Sequence, residues 1–162
     1  MLNVKLETLF LKIVVFLLGV PILALCIFAV PEMAETAAEG LPDYPVVRYL
    51  VFLVFYASAI PFYYALYQAY RLLQYIDRNT AFSESSVDAL KKIKYCAVAI
   101  CICHVLALPL FYLFAQMDDA PGLVIVGCVV PFASVVIAVF AAVLQKLLRH
   151  AIDIKTENDL TI

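Results

Sequence analysis

Four long stretches of this chain carry no Asp, Glu, Lys or Arg: Ile13 to Pro31, Tyr49 to Tyr70, Tyr95 to Met117, and Ala120 to Gln145. Each is long enough to cross a hydrocarbon core of about 30 Å, which takes roughly 20 residues of helix. Lipid offers the backbone no hydrogen-bond partner, so such a stretch must pair its amides within itself, as a helix does. The pattern predicts spans at about Leu9–Val30, Val46–Tyr70, Tyr95–Gln116 and Gly122–Leu144. The fold class that follows is all-α: an integral membrane four-helix bundle, with residues 1–162 forming one membrane domain.

Composition agrees. Hydrophobic residues make up 66% of the chain and charged residues 15%, against roughly 45–50% and about 25% in an ordinary soluble domain. A soluble fold of this length cannot bury so large an apolar fraction. A soluble enzyme and a disordered tail are excluded on that ground. With 11 Lys+Arg against 13 Asp+Glu, the net charge of −2 leaves no broad basic surface, so direct nucleic-acid binding is excluded too.

The cations fall almost entirely to one side of the spans. Lys5 and Lys12 precede the first. Arg71, Arg78, Lys91, Lys92 and Lys94 lie between the second and third, and Lys146, Arg149 and Lys155 follow the fourth. Arg48 alone lies opposite, with Glu32, Glu35, Glu39, Asp43, Asp118 and Asp119. Basic loops stay in the cytoplasm, which predicts both termini inside. The first span is longer than a signal-peptide core and lacks a clean cleavage site, so it is read as retained. Leu25 stands where a lipoprotein box needs a small residue, so Cys26 is not read as lipidated. All five cysteines sit in apolar stretches and read as small buried hydrophobes.

The middle segment, about 71–94, is expected to be a structured cytoplasmic loop. Asp77-Arg78-Asn79-Thr80 reads as a turn, and Ser83 as a helix N-cap with Glu84 at the dipole's positive end. Phe82 and Val87 have the spacing of a hydrophobic staple. A short amphipathic helix bending into the third span is predicted. The tail, about 145–162, is expected to be cytoplasmic.

These segments also carry a resemblance. Asp77-Arg78-Asn79-Thr80-Ala81-Phe82-Ser83, leading into Leu90-Lys91-Lys92-Ile93, and the terminal Glu157-Asn158-Asp159-Leu160-Thr161-Ile162 resemble the bacterial domain-of-unknown-function 2975 family of small four-span membrane proteins. The resemblance implies a multi-pass protein of the bacterial cytoplasmic (inner) membrane. It also implies partnership with a small helix-turn-helix regulator, which is often encoded beside family members. It implies no activity, cofactor or catalytic residue.

Several constellations stand out within the spans. Each span holds one proline: Pro21, Pro61, Pro109 and Pro131. Such a residue removes a helical hydrogen bond and bends the rod, a common feature of membrane helices and also one way to enclose a cavity. Tyr49, Tyr56, Tyr63 and Tyr70 recur every seven residues on one face of the second span, with Tyr67 and Gln68 near its inner end. Hydroxyls in lipid need partners, so this stripe reads either as interhelical packing with interface anchoring or as the wall of a cavity. His104 lies near the middle of the third span, where an ionisable group is a candidate sensor; tyrosine hydroxyls of span two are its expected partners. Cys96, Cys101 and Cys103 do not give metal-site spacing, so neither a metal nor a cofactor is expected. The candidate cavity or sensor residues are therefore His104, Tyr56, Tyr63 and Tyr67. Glu32, Glu35 and Glu39 would share one face of a short helix started by Pro31 and stopped by Gly40.

No nucleophile elbow, phosphate loop or paired-His motif is present, so no enzymatic activity is expected. Two functions remain open. One is a membrane-embedded regulatory partner binding a cytoplasmic protein through the middle loop and the tail Glu157, Asn158, Asp159, Leu160, Thr161 and Ile162. That tail could add as a strand, dock its carboxylate, or simply fray. The other is a transporter or channel subunit for a neutral or lipophilic solute, working as a homo-oligomer.

Overall fold

The computed structural model describes the backbone of residues 2–117 and 119–160; side chains are described for residues 6–117, 119 and 120–158. Helix α1 (Leu2–Ala24) passes through a π-helical turn (Leu25–Ala29) directly into α2 (Val30–Gly40). Then follow α3 (Val46–Asp77), α4 (Glu84–Met117) and α5 (Gly122–Leu160). Among the described residues, four helical rods are long and apolar enough to cross a membrane.

The helices overrun the predicted spans at the basic end. At 1.5 Å per residue, the 32 residues of α3, 34 of α4 and 39 of α5 extend about 48, 51 and 58 Å. Of the segment expected as a loop, 71–94, only residues 78–83 are not α-helical. The predicted amphipathic helix is present, but as the first turns of α4, without a break before the span. Phe82 is 61% exposed while Val87 is buried, so the expected staple is not closed.

The turns explain the helix ends. Asn79 has φ 56° after the last turn of α3. The Thr80 N–H bonds Tyr75 O at 2.9 Å, and the Asn79 N–H bonds Ile76 O at 3.1 Å. This pair is the left-handed C-terminal cap in which Gly or Asn is preferred. The end of α4 repeats half of it: Asp119 has φ 50° and the Ala120 N–H bonds Ala115 O at 3.0 Å.

Packing follows chain order. Helix α1 lies against α3, α3 against α4, and α4 against α5, while α2 folds over α3 and α4 at the acidic end. Among the described residues no Cα of α1 comes within 8 Å of α4 or α5, nor any of α3 of α5. The four-helix assembly is thus an open array. Its seams are built of small residues: Ala89, Cys96, Ala97, Ala107 and Ala115 on α4, Ser134 and Ala141 on α5. That is how helices pack in lipid, where apolar bulk gains nothing by leaving its solvent and close backbone approach decides. Gly127 is the most closely packed of the four glycines. A Cβ built there would lie 2.9 Å from Phe111 Cγ.

Large apolar side chains point outward: Phe16 is 77% exposed and Phe132 72%. The accessible surface is 11031 Å² for 18.0 kDa, against about 8,000 Å² for a compact soluble protein of that mass. The open array and its protruding helix ends account for the excess, and many large apolar side chains lie on that surface.

Candidate functional site

The tyrosine stripe of α3 faces α1. Tyr63 Oη donates to Gly19 O at 2.8 Å, and Tyr56 Oη donates to Cys26 O at 3.0 Å. Lys12 Nζ lies 5.8 Å from the Tyr70 ring centre. At the basic end Asp77 accepts from Thr8 Oγ1 and pairs with Lys12. Each of these contacts crosses from α3 to the first rod, so the stripe serves as an interhelical seam. An open groove of about 440 Å³ runs beside it, bordered by Gly19, Tyr63 and Tyr67.

The bond to Cys26 has a particular cause. In the π turn the Val30 N–H reaches back five residues to Leu25 O. The next donor in that register would be residue 31, which is Pro31 and has no N–H. Cys26 O is therefore left over, and Tyr56 supplies the missing donor. The wider turn also relieves the clash a proline ring makes with the carbonyl four residues before it.

His104 is buried between α3 and α4. Its ring stands edge-on to Phe55, centroids 6.2 Å apart, and Nδ1 lies 3.1 Å from Ile100 O. A carbonyl only accepts, so Nδ1 carries the proton. The partner is thus the carbonyl one turn back on its own helix, not a tyrosine of α3 as the sequence suggested. The stripe is turned toward α1, and His104 meets α3 through Phe55. The candidate residues therefore do not converge: Tyr56, Tyr63 and Tyr67 belong to the α1–α3 side and His104 to the α3–α4 seam. The described residues contain no cluster of three metal-ligating side chains. Gln68 is 2% accessible, and its Oε1 has no hydrogen-bond partner among the described residues.

The acidic end holds an open cavity of about 620 Å³, lined mainly by α2, α3 and α4. Glu32, Thr36 and Glu39 of α2 stand at its edge, over Val54 and Phe55 of α3 and Phe114 of α4. The three glutamates do not act together. Glu35 turns away and pairs with Arg48 at 3.5 Å. Asp118, also expected in this group, lies outside the described residues.

The basic end is a protruding helical surface. Arg149 lies 3.9 Å from Glu84, and Lys94 Nζ donates to Gln145 Oε1 at 3.4 Å, tying α4 to α5. Lys92 pairs with Asp88 at 2.7 Å, which holds that carboxyl below and that ammonium above their ordinary values. Beyond this, α5 continues. Glu157 and Asn158 are exposed on it, and Asp159 and Leu160 are helical in backbone. In this structure the helix, not a strand, runs on through these four. Thr161 and Ile162 lie outside the described residues.

The fold defines a class first: a multi-pass, all-helical integral membrane protein, with surface seams of small residues and an apolar exterior. Within that class the chain belongs to the DUF2975 family, described as "Protein of unknown function (DUF2975)", whose profile matches residues 32–162. It is 61% identical over 158 residues to an uncharacterized membrane protein, YoaS, of Bacillus subtilis (strain 168), covering 98% of this chain and 99% of that relative. No solved structure matches it.

Proposed function

We propose that this protein is a non-enzymatic regulatory component of the bacterial cytoplasmic membrane, with both termini in the cytoplasm, whose protruding helical end binds a cytoplasmic protein. The observation that carries the reading is the continuation of α5 past its apolar run. Residues 145–160 extend it by about 24 Å, and from Asp153 through Asn158 the side chains are exposed. Leu147 and Ile154, two turns apart, are both exposed large hydrophobics on that helix. An amphipathic helix standing clear of a membrane suits docking into the groove of a soluble partner. A helix-turn-helix regulator is the partner the family likeness suggests. The cation distribution supports the orientation.

The test is crosslinking in native membranes, followed by recovery of partners with the full chain and with a chain ending after Ala151. Loss of one cytoplasmic protein from the shortened chain, at equal membrane abundance, supports the reading. Equal recovery refutes it.

A further inference from the structure

The cavity at the acidic end joins two features that ordinary helix packing does not require. Its volume of about 620 Å³ lies within the range of small-molecule sites, roughly 300–1,000 Å³. Its walls are mostly apolar, with Phe55, Phe111 and Phe114 among aliphatic side chains such as Val51, Val54 and Leu110. Its only charged lining residues, among those described, are Glu32 and Glu39. They lie seven residues apart on α2, with Thr36 between them, so they present two carboxylates along one edge. Among the described residues no ion pair forms at Glu32 or Glu39, whereas Glu35 has Arg48. The nearby Asp43 and Asp119 add negative charge to the same end.

We propose that this crevice binds a hydrophobic organic cation, its apolar body among the phenylalanines and its positive centre at Glu32 and Glu39. The charge pattern selects the occupant. An anion meets two carboxylates with no compensating base, and a neutral apolar molecule leaves them unused. A cation with apolar substituents satisfies both the carboxylates and the apolar walls. The inference rests on the crevice alone and is independent of the docking role proposed for the opposite end.

The test uses the full chain in nanodiscs of phosphatidylcholine, with tritiated tetraphenylphosphonium as probe and scintillation proximity as readout. Saturable binding above that of empty discs is expected. Glu32→Gln with Glu39→Gln should weaken it at least tenfold, and Glu35→Gln should leave it unchanged. Val54→Phe, which fills the cavity without touching a carboxylate, should also abolish it. Dodecyltrimethylammonium should displace the probe, and tetraphenylborate, of the same shape and opposite charge, should not. Helix content and elution volume of each variant establish that it is folded. No saturable signal in the wild-type chain overturns the proposal. So does unchanged binding in the folded double variant, or equal displacement by tetraphenylborate, either of which would make the crevice an apolar lipid slot.

Discussion

Replacing Tyr56 with Phe removes one oxygen and nothing else, yet it reaches the least regular point of the backbone. The lost group is the donor to Cys26 O, at 3.0 Å. That carbonyl has no helical partner, because Val30 already serves Leu25 and Pro31 has no N–H. An interhelical hydrogen bond in a bilayer is worth about 0.6 kcal/mol on average and up to about 1.7. A carbonyl left without any donor belongs at the upper end, so Tyr56→Phe should cost about 1.5 kcal/mol. Tyr63→Phe makes the control. Its acceptor, Gly19 O, lies inside α1 and has a helical donor available four residues on. Its loss should cost about 0.6 kcal/mol. The decisive variant is Pro31→Ala, which restores an N–H at residue 31. In that background Tyr56→Phe should become nearly neutral, giving a coupling of about 1 kcal/mol in a double-mutant cycle. The cycle is measured by reversible unfolding in mixed micelles. A coupling within about 0.3 kcal/mol of zero would show that proline and tyrosine are not linked through Cys26.

Other residues test other joints. Gly127→Ala places a methyl 2.9 Å from Phe111 Cγ and should cost about 1–3 kcal/mol; Phe111→Leu in the same chain should recover part of it in a melting assay. Asn79→Ala should cost about 1 kcal/mol at its φ of 56°, while Asn79→Gly should match or exceed the parent in thermal stability. Asp77→Ala removes the acceptor shared by Thr8 and Lys12. Since, among the described residues, α1 packs on α3 and on no other long helix, hydrogen exchange should rise along α1 and leave α5 unchanged; an even rise throughout would contradict the open packing order.

Much of this architecture could be read from residue order. Each uncharged run falls on one of the four long apolar helices found among the described residues, because a membrane needs about 20 such residues whatever the fold. The turn read at 77–80 falls at the end of α3, and Ser83 immediately precedes α4, its Oγ paired with Ser86 Oγ at 3.3 Å. Three features escaped the sequence for physical reasons. A charge such as Arg71 marks where lipid ends, but a helix needs no lipid to continue, so α3 runs on to Asp77. The tyrosine stripe showed a face without showing its partner: neighbour choice between apolar helices depends on close backbone fit, to which α1 answers and His104 does not. The glutamates of α2 looked equivalent by spacing. At about 100° per residue, though, Glu35 stands some 60° from Glu32 while Glu39 stands only about 20° away, enough to send Glu35 to Arg48 and the other two to the crevice.

The most direct test of the whole arrangement is a topology map with paired reporters, one active only in the cytoplasm and one only outside it. Fusions within residues 78–83 and after Ile162 should both report cytoplasm, and fusions within residues 41–45 and after Ala120 should both report the exterior. A terminal reporter on the opposite side from the 78–83 turn would contradict four crossings, and the account built on them would fall.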